Sequence, residues 1–372
     1  MSRFNTKKLI ILLAVTELVL ASLLNILMIR SSVEVREYKF KSSLTIVNRS
    51  KRVFNPNDIE LNIINLFPNT SWQRSYLMYV LVNNTPTKWQ ISFDIDTNPI
   101  IRLELPLLPL NSSLSIVYEE TVYEIHPKTI DSLFNTSLGE FLAENGPWQL
   151  NDEILRSLAY NLSRGSNNDF EILISFIDWI DGHVKYGGKM PPRYPNEVLK
   201  EGSGDCDEQA MLLITLCRIA RIPALMQIGC IYMPNTHQLD SIYNNHVKIE
   251  LVNIGWHAWS LVYLSNRGWV PVDMTYYLRR SHTALDHING AAFWQRGTLS
   301  LAYISNYDYV KDARKLKDVL ERYNIQLIEK DELYLTKSRF LLRWDLILLS
   351  LIIIIIVILA LIIFLLLKEH KK

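Results

Sequence analysis

Cys206, His257 and Asp273 are the residues whose types and spacing could carry nucleophilic chemistry. Cys206 lies in "EGSGDCDEQAMLLITLC", residues 201–217, between two aspartates. Acidic neighbours raise a thiol pKa and so oppose a thiolate. Asp205 followed by Glu208 is a capping-box pattern, which places Cys206 at the first helical position. There the backbone N–H groups partly offset the aspartates, and Asp207 complements the helix dipole from solvent. Ala210, Leu213, Ile214 and Cys217 share the face of Cys206, so the thiol points toward the protein. A cationic histidine is the larger lever on a thiol. His257 lies in "WHAWSLVYLSNRGWVPVDMTY", a hairpin turning around residues 265–268. If Leu264 pairs with Gly268, Asp273 is a diagonal neighbour of His257 on one face, about 7–8 Å away. A slip of one residue would separate them. An aspartate in an apolar hairpin arm needs a partner, and His257 supplies one. The set then reads as thiolate nucleophile, proton-transferring imidazole and orienting carboxylate. The same residues also fit a helix-start packer, a satisfied sheet histidine and a turn cap; spacing alone does not choose.

The remaining candidates carry less. His246 is a second strand histidine with no matching role. Trp259 shares a strand face with His257 and is the one substrate-binding candidate, as a wall of an acyl-acceptor tunnel, although such a Trp also fits plain core. Gly187-Gly188 lacks the strand–loop–helix and lysine of a phosphate loop. His282 and His287 have no third ligand near, so no metal site is expected, and no cofactor. Cys217 and Cys230 fit either a disulfide or two reduced core residues.

The elements that must position these residues follow from periodicity. From about 42 to 125 the chain reads as short strands separated by Asn- and Pro-bearing turns, an antiparallel β-sandwich; Trp89, Ile91, Phe93 and Ile95 alternate with polar residues. Phe170, Leu173, Ile174 and Ile177 recur at helical spacing. A Gly- and Pro-rich loop, 187–195, precedes the Cys206 helix, and strands follow over 225–233, 246–252, 257–264 and 269–273. Residues 307–323 read as a charged helix.

The chain has 372 residues and a net charge of +1, with no basic block that would fit nucleic acid. Residues 346–367 carry no charge, a length that would span a bilayer. Residues 9–29 are apolar but contain Glu17 and Asn25, and read as an uncleaved anchor or a signal peptide. Asn48, Asn69, Asn83, Asn111, Asn135 and Asn161 each begin an Asn-x-Ser/Thr sequon between these runs. They are glycosylation candidates and place the intervening chain outside the cytoplasm.

"GSGDCDEQAMLLITLCRIARIPALMQIG" resembles the cysteine segment of the transglutaminase-like superfamily, in which Gly-Asp-Cys opens a helix that ends in an Arg-x-x-x-Ile-Pro run. "HAWSLVYLSNRGWVPVDMTY" resembles its His-Ala-Trp and Val-Asp-x-Thr segments, with Met274 where many members have proline. The resemblance covers about 171–277 and implies Cys206 as nucleophile, His257 as base and Asp273 as orienting acid. The expected fold is α+β: a papain/transglutaminase-like core over 146–280, preceded by a β-sandwich over 31–145. An N-terminal transmembrane anchor over 1–30, a helical extension over 281–343 and a C-terminal transmembrane helix with a basic tail over 344–372 complete it. The expected protein is a thiol enzyme at the plasma membrane, anchored through two helices with both tails cytoplasmic. It would act on carboxamide or peptide bonds of a protein or peptide substrate through a thioester, passing the acyl group to water or an amine. A non-catalytic surface scaffold of the same fold is the alternative.

Overall fold

The computed structural model describes residues 32–130, 137–276, 283–342 and Leu348, Ile352 and Ile355. The chain divides into two compact units: Arg36–Lys337, described below, and Met1–Val35 with Ser338–Lys372. The first part is strands with one short 3-10 helix, Pro56–Ile59: β1 (Ser32–Asn48), β2 (Ile63–Asn65), β3 (Gln73–Val82), β4 (Thr85–Pro86), β5 (Ile91–Phe93), β6 (Pro99–Arg102) and β7 (Ser112–His126). Then come helices α1 (Glu153–Ser163) and α2 (Asp169–His183), strand β8 (Lys185–Tyr186), helix α3 (Pro195–Glu201), strand β9 (Ser203–Gly204) and helix α4 (Cys206–Ile219). Strands β10 (Ala224–Ile242), β11 (Val247–Leu264) and β12 (Gly268–Val272) follow, then helix α5 (Ala284–Asn289), strand β13 (Thr298–Ile304), helix α6 (Tyr309–Tyr323) and strand β14 (Ile325–Leu342).

The main sheet runs β13-β10-β11-β14-β1-β7-β3-β4, with β12 paired to β11; β2-β6-β5 form a small separate sheet. The early strands are therefore not a self-contained sandwich. They continue the sheet of β10 and β11 through β14, which runs parallel to β11 from Val247↔Leu327 to Val252↔Glu332. The stretch expected as a helical extension holds both β13 and β14. These pairings join residues some 80 positions apart, which local periodicity does not encode. The alternation of Trp89, Ile91, Phe93 and Ile95 is real but faces outward, with Phe93 67% and Ile95 68% exposed. Alternation shows that two faces differ, not which one meets water.

Helix α4 is the spine of the domain. Every residue from Glu208 to Arg218 is buried, packed among Leu173, Phe176 and Ile177 of α2 and Ala258 and Val262 of β11. Its capping box, Asp205 with Glu208, starts it as the residue pattern requires. At the other end Arg218 explains the arginine of the Arg-x-x-x-Ile-Pro run. It is buried over the Trp148 ring, 4.5 Å from its centre, and donates to Ala224 O at 2.8 Å, Ala143 O at 2.6 Å and Ser305 Oγ at 3.0 Å. A guanidinium has enough donors to tie three segments to one helix end.

No helix among the described residues is long and apolar enough to cross a membrane. The N- and C-terminal transmembrane helices and the bilayer association expected from hydropathy are therefore not supported by the described residues. Apolar composition supports a span only where the run forms a continuous helix of about 20 residues. The runs 9–29 and 346–367 lie outside the described residues, save for Leu348, Ile352 and Ile355.

Candidate active site

Cys206 is the first residue of α4 and is half-buried. The turn before it is held by a buried ion pair that the sequence did not reveal. Arg193 donates from Nε to Glu208 Oε1 at 2.8 Å and from Nη2 to Oε2 at 2.6 Å. Its backbone N–H adds a third bond to Oε1 at 2.9 Å, and Asp205 N donates to Oε2 at 3.1 Å. A bidentate guanidinium–carboxylate pair fixes orientation as well as charge, so the loop 187–193 is fastened to the base of the Cys206 helix. Gly188 lies against Asp205, and a Cβ there would collide with Asp205 Oδ2. Burial, then the hydrogen bond and charge of Asp207, push the Asp205 carboxyl up to about 8. Asp207 is not simply solvated as expected: it is half-buried and accepts from Tyr309 Oη at 2.9 Å.

The hairpin has the register expected from its turn. Leu264 pairs with Gly268, and the ladder runs to Ser260↔Val272. Asp273 is the first residue beyond it and is fully buried. Its Oδ2 meets His257 Nε2 at 2.8 Å and accepts from Ala292 N at 3.1 Å; its Oδ1 accepts from Thr275 N at 3.2 Å and Tyr276 N at 3.0 Å. The pairing leaves Nδ1 as the ring nitrogen for the Cys206 side, and the Cys206 side chain is the ring's second polar neighbour. Burial works against a charged imidazole. The charge and hydrogen bond of Asp273, with a smaller contribution from Cys206, outweigh it and hold His257 up at about 10. The three residues singled out by spacing are thus brought together.

The segment after the hairpin encloses Asp273. His287, fully buried in α5, accepts from Asp273 N through its carbonyl at 2.9 Å, and its Nδ1 lies 2.9 Å from Asp273 O. Residues 293–298 are held in turn by the early strands. The buried Lys128 Nζ donates to Phe293 O at 2.9 Å, Gln295 O at 3.1 Å and Thr298 O at 2.6 Å. It pairs with Glu124 Oε1 at 2.9 Å. Burial opposes the Glu124 charge, but Lys128 and His126 prevail and bring its carboxyl down to about 2. A lysine aimed at three carbonyls leaves no signal in periodicity. His287 was visible, but only as half of a pair with His282, which lies outside the described residues.

The other expected residues fall elsewhere. Trp259 is fully buried beside Phe293, with its ring centre 5.9 Å from His257 and Nε1 donating to Gln227 Oε1 at 2.8 Å; it presents no surface to a substrate. His246 Nδ1 bonds Ile325 O at 2.8 Å, at the start of β14. Cys206, Cys217 and Cys230 are all free thiols, the last two buried. Asn69, Asn83, Asn111 and Asn161 are exposed, and Asn135 lies outside the described residues. Asn48 is fully buried, and its Nδ2 donates to Arg52 O at 2.8 Å, Leu108 O at 2.9 Å and Pro109 O at 3.1 Å. That nitrogen is committed to holding a loop.

No curated protein matches the chain. Among solved structures it is similar to a candidate cysteine protease from Cytophaga hutchinsonii, at 16% identity over 83% of this chain and 91% of that one, with a TM-score of 0.47. It is also similar to the periplasmic domain of TgpA from Pseudomonas aeruginosa, at 12% identity over 64% of this chain and 87% of that one, with a TM-score of 0.30. The family model of the transglutaminase-like superfamily matches residues 156–274, the stretch that contains Cys206, His257 and Asp273. Residues 156–274 are a domain of the transglutaminase-like superfamily.

Proposed function

We propose that the protein is a cysteine-dependent enzyme that cleaves carboxamide or peptide bonds through a thioester on Cys206. The observation that carries this reading is His257 set between the Asp273 carboxylate, at 2.8 Å, and the Cys206 side chain. Asp273 stabilises the imidazolium, and an imidazolium beside the thiol stabilises the thiolate. The thiolate attacks the carbonyl carbon, and the Cys206 backbone N–H at the helix start, where helical N–H groups have no partner within the helix, faces the developing oxyanion. As the tetrahedral intermediate collapses, the C–N bond breaks and His257 gives its proton to the departing amine. His257 then takes a proton from the incoming water, which adds to the thioester; collapse releases the acid and the Cys206 thiolate, with the proton left on His257. Water is the acceptor this site favours, because Trp259 is sealed in the core and cannot wall an amine channel. The exposed sequons at Asn69, Asn83, Asn111 and Asn161 support a location outside the cytoplasm.

An electrophilic peptide acyl probe tests the reading on the full chain. Labelling should map to Cys206, vanish in Cys206→Ala and fall at least about a hundredfold at neutral pH in His257→Ala. Labelling of Cys206 that is indifferent to His257→Ala would mark the thiol as an ordinary surface nucleophile and the fold as a scaffold.

A further inference from the structure

His287 stands outside the three residues that do the chemistry, and yet it is where the acid among them is held. Asp273 follows the last ladder pair of the hairpin, so the sheet satisfies neither its N–H nor its C=O. Buried main-chain groups need partners. Both are supplied by one residue: Asp273 N donates to His287 O, and His287 Nδ1 meets Asp273 O, each at 2.9 Å. The ring is fully buried, and its other nitrogen lies 3.5 Å from Oδ1 of Asp181 on α2, whose side chain is 36% exposed. The backbone that follows α5 then delivers the Ala292 N–H to Asp273 Oδ2, the same oxygen that meets His257. A main chain gripped on both sides leaves the carboxylate little choice of direction. The charged and titratable groups around this arrangement are Asp181 from α2, Asp286 from α5, and Asp273, His257, Cys206 and Tyr276 on the hairpin side.

We propose that His287 is a positioning residue, oriented by Asp181, that fixes the main chain of Asp273 and thereby holds its carboxylate under the His257 ring. The inference rests on the thiol-enzyme reading above. It sets a second histidine–carboxylate pair, Asp181–His287, behind the main chain of the first, Asp273–His257. If His287 merely filled space and satisfied a strand end, its loss would cost stability and leave the chemistry of the remaining thiol unchanged.

The test measures the pH dependence of Cys206 alkylation and the rate of acyl-probe labelling in the full chain, with thermal melting alongside. His287→Leu removes the ring donor at similar volume. It should move the onset of the alkylation rate upward by about one pH unit, tenfold at a fixed low pH, and slow acylation by about tenfold or more. His287→Asn, whose amide places an N–H near the position of Nδ1–H, should return both to within about threefold of wild type. Asp181→Ala, on the outer side of α2, should shift the profile in the same direction by a smaller amount, and it decides the matter should His287→Leu fail to fold. A folded His287→Leu or Asp181→Ala protein with the wild-type profile and rate, whatever its melting temperature, overturns the inference while the thiol-enzyme reading stands. A wild-type protein whose Cys206 titrates as an ordinary thiol and takes no acyl probe overturns both.

Discussion

Replacing Asp273 by Asn should remove the charge that sustains an imidazolium at His257 and, on the proposed function, slow the reactions of Cys206. The magnitude follows from His257, which Asp273 and Cys206 hold at about 10 against burial, compared with 6.5 for the residue in water. At about 1.4 kcal/mol for each tenfold change, that difference is on the order of 5 kcal/mol of preference for the imidazolium. The ring side chain is only 11% exposed, so solvent screens little of it. With an amide in place of the carboxylate, burial opposes the charge almost alone, and the ring loses its proton at a lower pH than a histidine in water does. The alkylation rate of Cys206 reads this directly, because Cys217 and Cys230 are fully buried. In the wild type the rate should be nearly flat from about pH 6 to 9, since the imidazolium persists through that range. In Asp273→Asn it should instead rise with pH across that range, as for a thiol with no cation beside it. Stability should follow the same group. A histidine whose folded pKa is raised contributes fully below the unfolded value of about 6.5 and loses that contribution as pH rises through about 10. The gap in urea midpoint between wild type and Asp273→Asn should therefore be widest below pH 6.5 and narrow toward pH 10. A flat alkylation profile retained in Asp273→Asn would refute the assignment of Asp273 as the group that sustains the charge.

Two further outcomes follow from buried charges. Glu120 lies buried in β7 with its carboxyl pushed up to about 7 by burial, although Ser75 and Phe67 N donate to it. Its folded form therefore weakens as pH rises from about 4.5 through 7; Glu120→Gln should stabilise the fold at pH 8 by up to about 3 kcal/mol and be neutral at pH 4, with equal stabilities at pH 8 telling against it. Arg193→Met leaves Glu208 buried without its cation and should cost about 3–5 kcal/mol in chemical denaturation, whereas Arg193→Met with Glu208→Leu should recover most of that; a single-variant cost under about 1 kcal/mol would show the pair to be marginal.

Much of the candidate site was legible in the residues because its parts are local. A capping box fixes where a helix begins, and so put Cys206 at the first turn of α4. A three-residue turn, Ser265 to Arg267, fixes hairpin register, and with it the side of the strand on which Asp273 leaves the ladder beneath His257. Helical spacing likewise marked α2 and α6, whose apolar stripes repeat within a few turns. What surrounds the three residues depended on chain segments far away. Arg193 reaches Glu208 across a loop, Lys128 reaches Phe293 O from 165 positions earlier, and His287 grips a main chain whose turn lies between two elements. None of these leaves a period or a short motif, because a buried polar group is defined by the partner that folding brings to it. The same holds for the sheet. Alternation in the early strands announced two-faced elements, but only the parallel docking of β14 on β11 decided that they extend the sheet that carries His257. Asn48 shows the limit at a single residue: its sequon is complete, and its side chain is nonetheless consumed by three carbonyls that only the fold places around it. Local backbone geometry is written in neighbouring residues, whereas desolvation and the choice of partner are properties of the packed chain.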